Sequence, residues 1–162
     1  MDSAAISFRA ATEADLPAIV GMLADDEIGK LREDSSLPLS SVYTDAFAAL
    51  DADENQLLAV AVAVNEKEDG AETVIGALQL SFIPGMARMG AWRGQIEAVR
   101  IATSHRNSGL GREMFEWAIE RCREKNCMLV QLTTDKGRPD AHRFYDSLGF
   151  EASHEGYKLK LL

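Results

Sequence analysis

The chain has 162 residues, 46% hydrophobic and 27% charged, which fits one ordinary domain spanning 1–162 with a core that needs no staples. Its net charge of -9 argues against nucleic acid and against an anionic membrane surface, since both reward positive charge. No apolar run approaches the ~20 residues of a membrane helix, and MDSAAISFRA lacks the basic-then-apolar order of a secretion signal. Cys122 and Cys127 show no C-x-x-C spacing and no histidine partner. Neither a metal nor a structural disulfide is expected, and a reducing, cytoplasmic setting fits best.

In chain order, Ile6 and Phe8 alternate in a short strand, Ile6–Arg9. Thr12 and Asp15 form a T-x-x-D capping box. A helix follows over Glu13–Ala24, with Leu16, Ile19, Val20 and Leu23 on one face. Asp25–Pro38 is polar and broken and reads as a loop or short helix, and Ser41 opens a second helix through Ala49. Gln56–Val64 and Glu72–Phe82 are apolar strands, joined by a turn with the hairpin signal Asp69-Gly70. Gln95–Ala102 is a further strand; simple alternation places Ile96, Ala98 and Arg100 on one face and Glu97, Val99 and Ile101 on the other.

After the loop His105–Gly111, a strong helix runs to about Asn126, and Cys127–Thr133 is a short buried strand. Asp135–Arg138 is a turn, Pro139 opens the last helix, and Gly149 closes it. Phe150 and Tyr157–Leu161 read as one or two closing strands. The middle strands form an antiparallel meander. The strand–loop–helix–strand unit from Gln95 to Thr133 requires a parallel pair with a right-handed crossover. The expected fold is a mixed, mostly antiparallel α/β sheet of about six or seven strands with helices on both faces.

Chemistry points first to Arg106–Gly111, which follows a strand and opens a helix. A helix N-terminus offers unpaired N–H groups and a partial positive charge, and so holds anions. Gly109 and Gly111 bring no side chain, Arg106 adds a guanidinium, and Asn107 and Ser108 add short donors. Taken alone, the segment is also an ordinary strand-to-helix turn. A Walker A loop is excluded because no Gly-Lys-Ser/Thr follows, and a Rossmann loop is disfavoured because G-x-G-x-x-G is absent.

Two motifs lie a helix and a strand apart: Arg106-x-x-Gly109-x-Gly111, then Ala141, Phe144, Tyr145, Gly149 and Phe150 in A-x-x-F-Y-x-x-x-G-F. With the opening FRAATEADLPAIVGML, they resemble the GNAT superfamily of N-acetyltransferases over nearly the whole chain. The resemblance implies that acetyl-CoA lies in a gap between two splayed strands, Gln95–Ala102 and Cys127–Thr133. It implies pyrophosphate on the N–H groups of Arg106, Asn107, Ser108, Gly109 and Gly111. It also implies that the pantetheine arm pairs like an added strand near Val99 and Ile101. The family's asparagine after the fifth strand is absent, with Asp135 or Arg138 in that region, and the usual proline near the loop is replaced by Ala102-Thr103-Ser104.

Acetyl transfer to an amine needs a base for the amine, a donor for the oxyanion and an acid for the leaving thiolate. The resemblance places Tyr145 as the acid. Glu97, on the strand beside the acetyl group, is the candidate base, against a plain ion pair with Arg93 or Arg100 or a solvent-facing position. The Val99 N–H is the candidate oxyanion donor. Glu27, Glu33 and Asp34 either attract a cationic amine or form a solvated acidic loop. The expected activity is acetyl-CoA-dependent N-acetylation of a primary amine on a small molecule or peptide, without a metal. The alternatives are another acyl-CoA, or a non-catalytic CoA-binding, regulatory or dimerisation module. Apolar Leu159, Leu161 and Leu162 raise the expectation of a homodimer.

Overall fold

The computed structural model describes residues 5–27, 29–65 and 70–162. Five strands, β1 (Ala5–Ala10), β2 (Gln56–Asn65), β3 (Ala71–Ile83), β4 (Trp92–Ile101) and β5 (Cys127–Gln131), form one sheet in that order. The first four pair antiparallel, and β4 and β5 pair parallel. The principal helices are α1 (Leu16–Ala24), α2 (Ser41–Asp51), α4 (Leu110–Glu124) and α5 (Pro139–Ser147), with α3 (Ala87–Gly90) a single turn. The Asp69-Gly70 turn falls partly outside the described residues, since Asp69 is not among them.

The sheet is buried on both faces, which explains the apolar runs of β2 and β3. On one face, Ile75, Leu78, Leu80 and Ile96 pack against Leu110, Met114 and Phe115 of α4. On the other, Val60, Val62 and Ala77 pack against Leu16, Ile19 and Met22 of α1. The expected capping box is present, and it is part of a larger ion cluster. Both oxygens of the buried Asp15 carboxylate accept from Arg9, at 2.7 and 3.1 Å, and one also accepts from the Thr12 N–H and hydroxyl.

The Arg9 hydrogen bonds hold the Asp15 carboxyl below its ordinary pKa of 3.8, against the opposing effect of burial. A carboxyl depressed in the folded state contributes stability that is present above the unfolded pKa and is lost as pH falls through the folded value. Asp15→Asn is therefore expected to cost about 2–3 kcal/mol at pH 7. In denaturant titrations its gap to the parent should narrow below pH ~4.

Two sequence expectations are corrected. The sheet has five strands, and no strand forms from Phe150 onward. The Phe150 N–H instead donates to the Tyr145 carbonyl, closing the end of α5, and Glu151–Leu162 pairs with no strand edge, without which an alternating pattern makes no ladder. The simple alternation along β4 also fails. Gln79 opposes Glu97 and Ala77 opposes Arg100, so Ala98 and Val99 together face Leu78 across a bulge, with Ala98 at φ 52. The bulge returns Val99 and Ile101 to the α4 face alongside Ile96. Glu97 and Arg100 are thereby left together on the α1 face.

Candidate active site

The bulge also opens the sheet. Hydrogen-bonded pairing of β4 with β5 covers Trp92–Gln95 against Cys127–Gln131 and stops there. Beyond Gln95 the two strands part, leaving one edge of β4 without a partner strand. The Ala102 N–H bonds the Ile75 carbonyl on β3, so by alternation the N–H and C=O groups of Val99 and Ile101 point toward the gap. The Val99 carbonyl accepts from Arg100 at 2.8 Å, and the Ile101 carbonyl accepts from Arg106 at 3.3 Å.

At the mouth of this gap lies a cleft of about 560 Å³ lined by Asp25, Asp26, Val99, Arg100, Arg106 and Arg138, among others. The loop that precedes α4 borders it. Asn107 (φ 60) and Gly109 (φ 93) both take left-handed backbone, which asparagine tolerates and glycine adopts without strain. These turns aim a run of amides outward. Among the described residues, the N–H groups of Asn107, Ser108, Gly109 and Gly111 have no hydrogen-bond partner. That of Arg106 makes a long 3.4 Å bond to Thr103. Four free amides at the start of a fifteen-residue helix have the arrangement that can cradle an anion. Gly111 has a packing reason to be glycine as well. A Cβ there would meet Ile101 Cδ1 at 3.2 Å and the Phe144 ring at 3.6 Å, so this glycine lets α4 sit close to β4 and α5.

Tyr145 is held by rings. Its own ring meets Phe115, Phe144 and Phe150 edge-on, with centroids 5.6, 5.6 and 6.2 Å away. Burial pushes its phenol pKa up, while the charges of Arg138 and Arg100 pull the other way. Its hydroxyl has no hydrogen-bond partner among the described residues. Glu97 is exposed on β4, and the ion pair with Arg93 or Arg100 weighed from sequence is not formed.

The sequence reading missed the carboxylates of the cleft. Asp25 binds Arg106 at 2.9 Å and Thr103 at 2.6 Å. Asp26 accepts from Arg138 at 2.7 and 3.0 Å and lies 3.8 Å from Arg100. Burial raises the Asp26 carboxyl pKa, but the Arg138 bonds, the Gly29 N–H and the two arginine charges outweigh it, and the pKa lies below the ordinary value. Asp26 and Arg138 are 112 residues apart in sequence, and no local spacing links them. Of the two residues after the fifth strand, Asp135 accepts the Gly137 N–H within its own turn, and Arg138 lines the cleft. Glu27, Glu33 and Asp34 are each held locally, by Lys30, by Tyr43 and by Ser36. Burial pushes the Cys122 thiol up to about 12, so it is an inert core group.

Comparison with known proteins agrees with this geometry. The model of the acetyltransferase (GNAT) family matches residues 26–150, more than three quarters of the chain. A crystal structure of a transcriptional regulator from Bacillus halodurans C-125 is 46% identical, with TM-score 0.89, over 97% of this chain and 100% of that one. A putative acetyltransferase from Agrobacterium tumefaciens C58 is 26% identical, with TM-score 0.78, over 95% and 99%. The aminoalkylphosphonate N-acetyltransferase of Salmonella typhimurium is 35% identical over 63 residues, which are 39% of this chain and 41% of that protein. The chain thus spans less than half the length of that curated relative, while the family match takes in β2 to α5 with the amide cradle and the splayed strands. The chain belongs to the acetyltransferase (GNAT) family.

Proposed function

We propose that the protein is an acetyl-CoA-dependent N-acetyltransferase acting on a primary amine by direct attack in a ternary complex. The observation that carries this reading is the row of free amides at Asn107, Ser108, Gly109 and Gly111, beside the gap between β4 and β5. The amides and Arg106 would hold the pyrophosphate, and the Val99 carbonyl and the Ile101 groups that face the gap would pair with the pantetheine amides. Arg106 would leave the Ile101 carbonyl and Arg100 the Val99 carbonyl as the cofactor enters. Glu97 would take the amine proton, directly or through water. As the amine nitrogen bonds the acetyl carbon, the Val99 N–H would donate to the developing oxyanion. Tyr145 would donate its proton as the carbon–sulfur bond breaks and the thiolate leaves.

Calorimetric titration of the protein with acetyl-CoA tests the cofactor half of this reading. A saturable one-to-one isotherm is expected, followed by thiol release when a suitable amine is added. Absence of binding up to about a millimolar would remove the reading. The second reading, a regulatory module, draws on the relative described as a transcriptional regulator. Acetyl-CoA binding with no release of thiol toward any amine would favour it.

A homodimer is part of the proposal. Tyr157, Leu159, Leu161 and Leu162 are 84–105% exposed, and four apolar side chains in one solvated tail are costly. Among the described residues, the edge of β5 opposite β4 has no partner strand. A tail laid along that edge of a second copy would cover both. Light scattering behind a sizing column should report twice the 17.7 kDa chain mass, and a monomer there sinks the idea.

A further inference from the structure

Arg100 is the least explained charged residue of the cleft. Its side chain is only 19% exposed, and its Nε is buried with no hydrogen-bond partner. One terminal nitrogen donates to the Val99 carbonyl, and another lies 3.8 Å from Asp26, beyond hydrogen-bond reach. Desolvation lowers its pKa, with the Asp26 charge opposing and the Arg138 charge adding to the effect. A buried guanidinium with an unmet donor is expensive unless something recovers the cost.

The charges around it are uneven. Arg106 has Asp25, Lys30 has Glu27, and Arg32 has Glu33. Arg100 and Arg138 both look to Asp26, whose carboxylate already takes two bonds from Arg138. Arg100, Arg138 and Asp26 thus sum to one positive charge in a chain of net charge -9, with the Glu97 carboxylate, unpaired among the described residues, on the same face. The three line the same cleft as Arg106, next to the loop whose amides would take the pyrophosphate. The β4 bulge puts Arg100 on the same face as Glu97. Their partners on β3, Ala77 and Gln79, are two residues apart, so the two Cα atoms are separated by about 7 Å.

We propose that the acceptor is a short primary amine carrying an anion (a phosphonate, phosphate or carboxylate) that binds the Arg100 and Arg138 guanidiniums while its amine faces Glu97. The reading rests on the acyl transfer proposed above. Asp26 is the positioning residue, holding Arg138 through one terminal nitrogen and leaving Arg100 with free donors. That a partial relative is named for aminoalkylphosphonates agrees with this class without deciding it.

The test compares 2-aminoethylphosphonate and β-alanine with uncharged propylamine by thiol release from acetyl-CoA. The kcat/KM for at least one anionic amine should exceed that for propylamine by about 100-fold, and Arg100→Met should shrink that ratio at least tenfold, mostly through KM. Arg138→Met, at a more exposed position, should shrink it in the same direction and guards against a misfolded Arg100 variant. The phosphonate and the carboxylate arms report which anion fits. Equal use of propylamine, or a ratio that neither variant moves, overturns the proposal. So does an acetyl-CoA Kd that rises as steeply as the acceptor KM, because Arg100 then serves the cofactor. If acetyl-CoA binds but no amine reacts, the transfer reading fails by itself. The anion site is then judged by titrating 2-aminoethylphosphonate into the CoA complex. Saturable binding lost in Arg100→Met supports it, and no binding overturns it.

Discussion

Replacing Tyr145 with phenylalanine should lower kcat by about 100-fold or more while leaving acetyl-CoA affinity within a factor of about three. The ring is the structural part of this residue and the hydroxyl is not. Phe115, Phe144 and Phe150 contact the ring edge-on, and those contacts survive the substitution. The hydroxyl satisfies nothing among the described residues, so removing it strands no donor or acceptor. A phenol in that position is useful if it gives its proton to a leaving thiolate. Burial raises its pKa against the pull of Arg138 and Arg100, so the protonated donor persists past the ordinary tyrosine value of 10.0. The alkaline limb of kcat against pH should therefore lie above pH ~10 in the parent. A variant with kcat within about threefold of the parent would show that Tyr145 is a core aromatic and nothing more.

Much of this fold could be read from the sequence because its cues are local. Helical periodicity located α1, α4 and α5 to within a few residues, and the apolar runs located β2 and β3. The parallel pair followed from a helix inserted between two strands. The turn before α4 was legible as well, because R-x-x-G-x-G combines a left-handed position with a helix start. What escaped was non-local or depended on phase. A single inserted residue at Ala98–Val99 turned Arg100 onto the face of Glu97, and no propensity marks that position. Asp25 and Asp26 looked like members of a solvated acidic stretch, since the arginines that engage them come from β4, the cradle loop and the start of α5. The alternation Tyr157, Leu159, Leu161 is strand-like, but a strand also needs an edge to pair with, and that information lies outside the segment.

The same distinction between local and non-local roles separates the two glycines of the cradle. Gly109→Asp should raise the Kd for acetyl-CoA by at least 100-fold with a change in Tm of only a few degrees. Gly109 has φ 93, and a Cβ there meets nothing within 4 Å. The cost to the fold is the left-handed strain of a short polar residue, about 1 kcal/mol. Aspartate partly offsets it, since Gly109 is the N-cap of α4 and a carboxylate is favoured at that position. The same carboxylate competes for the free amides that would take the pyrophosphate, and it repels the phosphate charge. Losing two or more charge-assisted bonds at ~1.5–3 kcal/mol each accounts for the expected factor. Gly111→Ala should behave in the opposite way. Its methyl would press on Ile101 Cδ1 and the Phe144 ring, costing ~1–3 kcal/mol of stability, while the residue 111 amide keeps its direction. Calorimetry and thermal melts on the two variants thus separate phosphate recognition from helix packing. If both lost stability equally and neither lost affinity, the cradle would be a turn and the anion site would have to be sought elsewhere.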